Sequence, residues 1–294
     1  MSDPQSHDSE RADWTKDGSP RRRRKGIYVL PNLVTLGALF AGFYAIVMAM
    51  NGRFENAATG IFAAMVLDAM DGRVARMTGT QSAFGEQMDS LADMVDFGAA
   101  PALIAYEWGL RPLGRWGWIA AFIFCACAAL RLARFNVNTQ VVDRRYFQGL
   151  PSPAAAALIA GFVWLTSAMV DNHADVPLFR QLVTLLGGER VAQGDFSWLT
   201  FGITLFAGLT MVTNIPYYSF KDFRGRRSVP FIVLVLVALL LALISVEPVT
   251  ALFILFVGYA LSGYVIYAWR RFRGERVSIV STSTDEPEER GLHE

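Results

Sequence analysis

The apolar residues of this chain run in blocks about as long as a bilayer is thick. A helix needs roughly 20 consecutive apolar residues to cross the hydrocarbon core. Blocks near that length recur at about 31–50, 54–76, 86–109, 116–135, 151–171, 197–215, 229–246 and 249–269. Within lipid, every backbone N–H and C=O must be satisfied inside the segment itself, which leaves helices as the structure for such blocks. The sequence therefore predicts an all-α integral membrane fold, a polytopic bundle of about eight transmembrane helices. A content of 53% hydrophobic and 18% charged residues over 294 positions argues against a pair of soluble domains.

The polar remainder divides the chain. Residues 1–27 read as a disordered basic tail ending in Arg21, Arg22, Arg23, Arg24 and Lys25, suited to anionic headgroups. Residues 28–272 read as one membrane domain, and 273–294 as a second disordered tail. The stretch 172–196 is the longest loop, with Leu182 to Leu186 as a candidate interfacial helix. Lys and Arg placement sets the orientation. With the N-terminus inside, the inner segments hold the basic run above, Arg144, Arg145, Lys221, Arg224, Arg226, Arg227, Arg270, Arg271, Arg273 and Arg276. The outer loops hold scattered arginines at 53, 111, 115, 180 and 190. Both termini are thus expected in the cytoplasm. A net charge of +1 points to no nucleic-acid partner. Cys125 and Cys127, two positions apart within an apolar block, read as packing residues on different helix faces. Pro151 and Pro153 read as the start of the fifth span, and Pro216 as the end of the sixth.

The stretch LDAMDGRVARMTGTQSAFGEQMDSLAD, residues 67–93, breaks the apolar rule. It places Asp68, Asp71, Asp89 and Asp93 in two membrane segments, where each charge costs several kcal/mol unless paired or hydrated. Acids of one sign cannot neutralise one another, so they need a cation. Asp68 and Asp71 are three apart, and Asp89 and Asp93 four apart, so each pair shares a helix face. The intervening Gly79, Thr80, Ser82 and Gly85 read as a turn that returns the chain and brings both pairs to one depth near the cytoplasmic interface. Such an oxygen-rich site suits hard divalent cations, Mg²⁺ or Mn²⁺, which commonly complete their shell with substrate phosphate. Two cations would stabilise charge in phosphoryl transfer. Gly72 and Gly85 leave room beside the acids, and Arg76 is placed to reach a phosphate.

The pattern Asp68-x-x-Asp71-Gly72-x-x-Ala75-Arg76, eight residues, then Gly85-x-x-x-Asp89-x-x-x-Asp93 resembles the CDP-alcohol phosphotransferase signature at every defined position. The resemblance implies a di-metal centre with Asp68, Asp71 and Asp89 as ligands. It implies Asp93 as general base, also near the second metal. Gly72, Arg76 and Ser82, with Asn32 and Thr35 of PNLVT, would contact the CDP part of the donor. The stretches SLADMVDFGAAPAL, ALRLARFNV, YFQGLPSPAAAAL and NIPYYSFKDF look like the phosphatidylserine synthase subgroup. That likeness implies CDP-diacylglycerol as donor, L-serine as acceptor, a homodimer and a multi-pass location in the cell (inner) membrane with a cytoplasmic active site.

Serine carries a carboxylate that Arg131 or Arg134 would orient through a two-point guanidinium contact; the alternative for either is a positive-inside anchor. Asp96 stands where the subgroup often has a small residue. Its place three beyond Asp93 lets it face the same cavity, to bind the serine ammonium or to pair with an arginine. Tyr217, Tyr218 and Phe220 with the following basic residues read as an interface belt. Other acceptors (glycerol 3-phosphate, inositol phosphate or choline) and, in another class, a cation transporter stay open as alternatives.

Overall fold

The computed structural model describes residues 29–79, 82–137, 146–170, 193–218 and 231–273. The two polar tails, apart from Arg273, lie outside these residues. So do Leu182 to Leu186, Arg144, Arg145, Phe220, Lys221, Arg224, Arg226, Arg227 and Arg276. The described chain is helical, with α1 (Val29–Met50), α2 (Phe54–Thr78), α3 (Ala83–Asp93), α4 (Ala100–Ala105), α5 (Arg115–Val137), α6 (Ser152–Val170), α7 (Ser197–Val212), α8 (Phe231–Val246) and α9 (Pro248–Phe272). Every helix falls on one of the apolar blocks.

Five segments are long and apolar enough to cross a membrane, namely Pro31–Met50, Arg115–Val137, Ser152–Val170, Gln193–Val212 and Pro248–Phe272. Large apolar side chains such as Phe40, Phe122, Trp198, Leu239 and Val265 point outward from the bundle. In water that surface would be a severe liability; against lipid it is the required exterior. The other expected spans depart from a plain apolar helix for identifiable reasons. Helix α2 carries Asp68, Asp71, Arg73 and Arg76. Helix α8 has 16 residues, a length of about 24 Å at the usual rise. The third block is interrupted by π-helical turns at Met94–Ala99 and Tyr106–Leu110.

Small residues bring the backbones together. Ala41 and Ala45 of α1 face Gly60 of α2, where an added Cβ would lie 2.9 Å from that of Ala45. Such small-residue contacts are how helices associate when lipid is as apolar as the side chains. Helix α6 sits at the centre. Ala154 through Phe162 are all buried, so an alanine-rich helix meets neighbours on every side. Helix α9 packs on it through Phe253 beside Gly161.

Two details differ from the sequence reading. The all-helical bundle also carries a short ribbon that the sequence reading lacked, in which β1 (Tyr146–Gln148) and β2 (Pro216–Tyr218) pair antiparallel with Tyr146 opposite Tyr218. Pro216 therefore opens a strand, while α7 has already ended at Val212, where Thr213 turns extended. Pro153 does fall in the first turn of α6 and Cys125 and Cys127 are free thiols, as expected. The ribbon is held by Gly149, whose φ of 73° lies in the left-handed region and whose missing Cβ would meet the Met211 carbonyl oxygen at 2.2 Å. Gly149→Ala is expected to cost at least about 1–3 kcal/mol, read as a lowered apparent Tm in detergent.

Candidate active site

Helix α2 ends at Thr78 with Gly79 in the left-handed conformation, and its N–H reaches back to the Ala75 carbonyl. The returning helix starts at Ala83 with Ser82 as its N-cap, whose hydroxyl accepts the Gly85 N–H at 3.0 Å. The turn thus closes at Ser82, and Gly85 belongs to the first turn of α3. This reversal brings the two acidic faces together. One carboxylate oxygen from each of Asp68, Asp71 and Asp89 lies within 4.8 Å of the others.

At that separation two unit charges repel by at least about 3 kcal/mol even at an effective dielectric near 20. The donors are all carboxylate oxygens, converging from two helices, which is the ligand chemistry of a hard divalent cation. Asp71 is the most enclosed of the three, at 5% exposure. The Thr35 hydroxyl donates to its Oδ2 at 2.8 Å, with the Pro31 carbonyl 3.2 Å away as a second acceptor. Asp93 comes close to Asp68, one turn along each helix from Asp89 and Asp71.

A cleft of about 570 Å³ opens over this cluster. Asp71 and Asp89 form part of its wall, together with Asn32, Thr35, Gly72, Arg76, Ser82 and Gly85. Every residue that the sequence motif implicated in holding the CDP group therefore faces one cavity. At Gly72 the backbone borders the Arg76 side chain. An added Cβ would lie 3.5 Å from a terminal nitrogen of Arg76, so the guanidinium lies across the glycine and toward Asp71. Gly85 similarly leaves space for Asn32 Oδ1 and Ser82 Oγ, each 3.2 Å from where a Cβ would stand. Glu86, absent from the sequence-based site, also lines the cleft. Its place three residues before Asp89 was the available signal.

The two arginines of α5 separate. Arg134 donates to Gln148 Oε1 and Asn214 Oδ1, both at 2.6 Å, and so ties the end of α5 to the strand ribbon. Arg131 donates to Ser152 Oγ at 3.0 Å, keeps a buried Nε without a partner, and lies in electrostatic range of Asp93 and Tyr259. Asp96 does not line the described cleft. It sits on the first π-helical turn against α1, 1% exposed. Pairing of its Oδ1 with an arginine is not seen among the described residues.

The sequence model of CDP-alcohol phosphatidyltransferases matches residues 28–206, from α1 well into α7. The chain belongs to the CDP-alcohol phosphatidyltransferase family. Two proteins of Helicobacter pylori named CDP-diacylglycerol–serine O-phosphatidyltransferase resemble it. That of strain J99 is 34% identical over 239 residues, 81% of this chain and 91% of the relative. That of strain 26695 is 34% identical over 254 residues, 86% and 95% of the two chains. A protein of the same name from Saccharomyces cerevisiae is 33% identical over 167 residues, 52% and 60% of the two. All the acids of the signature lie inside the region that matches the CDP-alcohol phosphatidyltransferases, whereas β2, α8 and α9 lie beyond it.

Thr35→Val keeps the side-chain shape and removes the donor to Asp71. Loss of such a supporting hydrogen bond is expected to weaken divalent-cation binding by about 10–100-fold, measured by Mn²⁺ titration with electron paramagnetic resonance detection.

Proposed function

We propose that the cleft transfers a phosphatidyl group from CDP-diacylglycerol to L-serine, giving phosphatidylserine and CMP. The convergence of Asp68, Asp71 and Asp89, two of which line the same cavity as the residues the resemblance assigns to the donor, supports this reading. The acceptor follows from relatives named for serine that cover most of the chain.

In this reading Asp68, Asp71 and Asp89, with Asp93 at the edge, hold two divalent cations, Mg²⁺ or Mn²⁺. Bound cations would neutralise the donor diphosphate and the charge released on CMP. Asn32, Thr35, Gly72, Arg76 and Ser82 bind the CDP part of the donor. Arg76, lying over Gly72 at the cleft, supplies a guanidinium for a phosphate oxygen. Asp93 accepts the proton of the serine hydroxyl as that oxygen forms a bond to the lipid-side phosphorus. The bond from that phosphorus to the CMP oxygen breaks, and no covalent enzyme intermediate is needed. Positioning and electrostatics supply the rate, as in phosphoryl transfer generally. Arg131, with its free Nε beside Asp93, orients the serine carboxylate; Arg134 is already committed to Gln148 and Asn214.

Eight passes through the membrane, both termini in the cytoplasm and a site at the cytoplasmic face of the cell membrane agree with the distribution of basic residues. Acyl chains of the donor then stay in the leaflet while its head enters the cleft. A homodimer is the assembly supported by family resemblance.

Purified protein given CDP-diacylglycerol, labelled serine and Mg²⁺ or Mn²⁺ should release CMP and form phosphatidylserine. Chelation should stop turnover, and returning the cation should restore it. Asp93→Asn is expected to lower kcat at least about 100-fold with donor binding retained. Full activity in that variant would sink the role of Asp93 as base. Serine incorporation overtaken by glycerol 3-phosphate, inositol phosphate or choline in competition would reassign the acceptor.

A further inference from the structure

The cleft has two ends. At its inner end stand Thr35, Asp71 and Asp89, where the acids converge. Its outer end is built from residues one to two helical turns away, with Asn32 on α1, Ala75 and Arg76 on α2, and Ser82, Ala83 and Glu86 around the start of α3. With the donor diphosphate at the acids and its acyl chains in the leaflet, the outer end is left for the nucleoside. Ala75, Ala83 and Gly85 keep this part of the wall small, which leaves room for a flat ring. Glu86 is the side chain here that the proposed transfer leaves unused. It is exposed in the cleft, about 4.5 Å along α3 from Asp89. The carboxylates that meet within 4.8 Å are those of Asp68, Asp71 and Asp89, and Glu86 is not among them. An anion near a bound diphosphate works against binding unless it meets a hydrogen-bond donor on the same ligand. The Asn32 amide and the Ser82 hydroxyl can each donate and accept, so neither separates one base from another by itself. Arg76 only donates, whereas an ionised carboxylate only accepts. Among the side chains that line the outer end, Glu86 is therefore the one that calls for a donor. The Asn32 Oδ1 lies 3.2 Å from where a Cβ on Gly85 would stand, which sets the amide beside the residue preceding Glu86.

We infer that Glu86 reads the base of the donor nucleotide, accepting a hydrogen bond from the exocyclic amine of cytosine, with the Asn32 amide on the adjoining edge. The inference rests on the proposed transfer from CDP-diacylglycerol and extends it to how the nucleotide is selected. A carboxylate that accepts from the cytosine amine is a recurrent pairing in base recognition. Uracil carries a carbonyl oxygen at that position, so the same contact would set lone pairs against lone pairs. Such a mismatch rejects the wrong base as effectively as the hydrogen bond admits the right one.

CMP and UMP test this without turnover, through their dissociation constants in the presence of Mn²⁺, measured by titration calorimetry. The unmodified protein should bind CMP at least about 10-fold more tightly than UMP. Glu86→Gln keeps the side-chain length and removes the group that can only accept. It should weaken CMP about 10-fold and leave UMP within about threefold, which brings the two nucleotides close to parity. Glu86→Ala should erase the preference as well. Equal changes for both nucleotides in these variants would mark a structural or purely electrostatic role and overturn the inference. A preference that persists in the variants, or is missing from the unmodified protein, would also overturn it. So would a preference for CMP over 2′-deoxy-CMP that vanishes with Glu86, which would place the carboxylate on the ribose. A drop in Mn²⁺ affinity in Glu86→Gln would assign Glu86 to the metal cluster and overturn it too. If CMP is preferred through Glu86 but no phosphatidylserine forms, the acceptor reading fails and this inference stands. If neither nucleotide binds the unmodified protein, the donor reading fails and the inference falls with it.

Discussion

Mutual repulsion among carboxylates inside an apolar bundle is the constraint on which the rest of the structure depends. Asp68, Asp71 and Asp89 are held within 4.8 Å of one another by two helices that would be more stable apart if only the acids counted. What opposes that repulsion is the packing of the frame. The alanine and glycine contacts of α1 with α2 set the depth of one acidic pair. The Ser82 cap sets the start of the helix that carries the other. A frame that brings three carboxylates to this separation would be preorganised for a divalent cation, because little rearrangement would remain to be made on binding.

The same frame explains the polar groups around the acids. Thr35 is more than a lining residue: its hydroxyl donates to Asp71 Oδ2 and so steadies a carboxylate that joins the cluster. Arg76 crosses Gly72 and supplies positive potential at the mouth of the cleft. Arg134 strengthens the scaffold by joining α5 to the strand ribbon, while Arg131, one turn earlier, keeps a free N–H near Asp93. Two arginines three positions apart on one helix thus have different work, decided by what the neighbouring elements place opposite them.

Helix α9 shows how elements beyond the family match contribute. The Tyr217 hydroxyl donates to the Ala260 carbonyl at 2.8 Å, and its ring fits where Gly263 has no side chain. The Tyr259 hydroxyl donates to the Tyr218 carbonyl at 3.3 Å, and the Thr210 and Tyr264 hydroxyls meet at 2.7 Å. These bonds fasten the last helix to β2 and α7 and keep Tyr259 near Arg131. Tyr217, read as part of an interface belt, is instead buried in this internal lock, to which Tyr218 contributes its backbone carbonyl.

Much of this was legible in the sequence because its physics is local. Apolar length fixes where helices form, residue spacing fixes which acids share a face, and the glycine, alanine and arginine around those acids set small residues and a guanidinium beside them. The positions of the helices and the convergence of the signature residues followed from these alone. Contacts between segments far apart in sequence were beyond such reading. Nothing local distinguishes Arg131 from Arg134, pairs Tyr146 with Tyr218, or reveals that Gly42 on α1 makes room for Asp96 on α3's continuation. Those depend on which backbones come within a few ångströms of each other, and only the packed tertiary structure decides that.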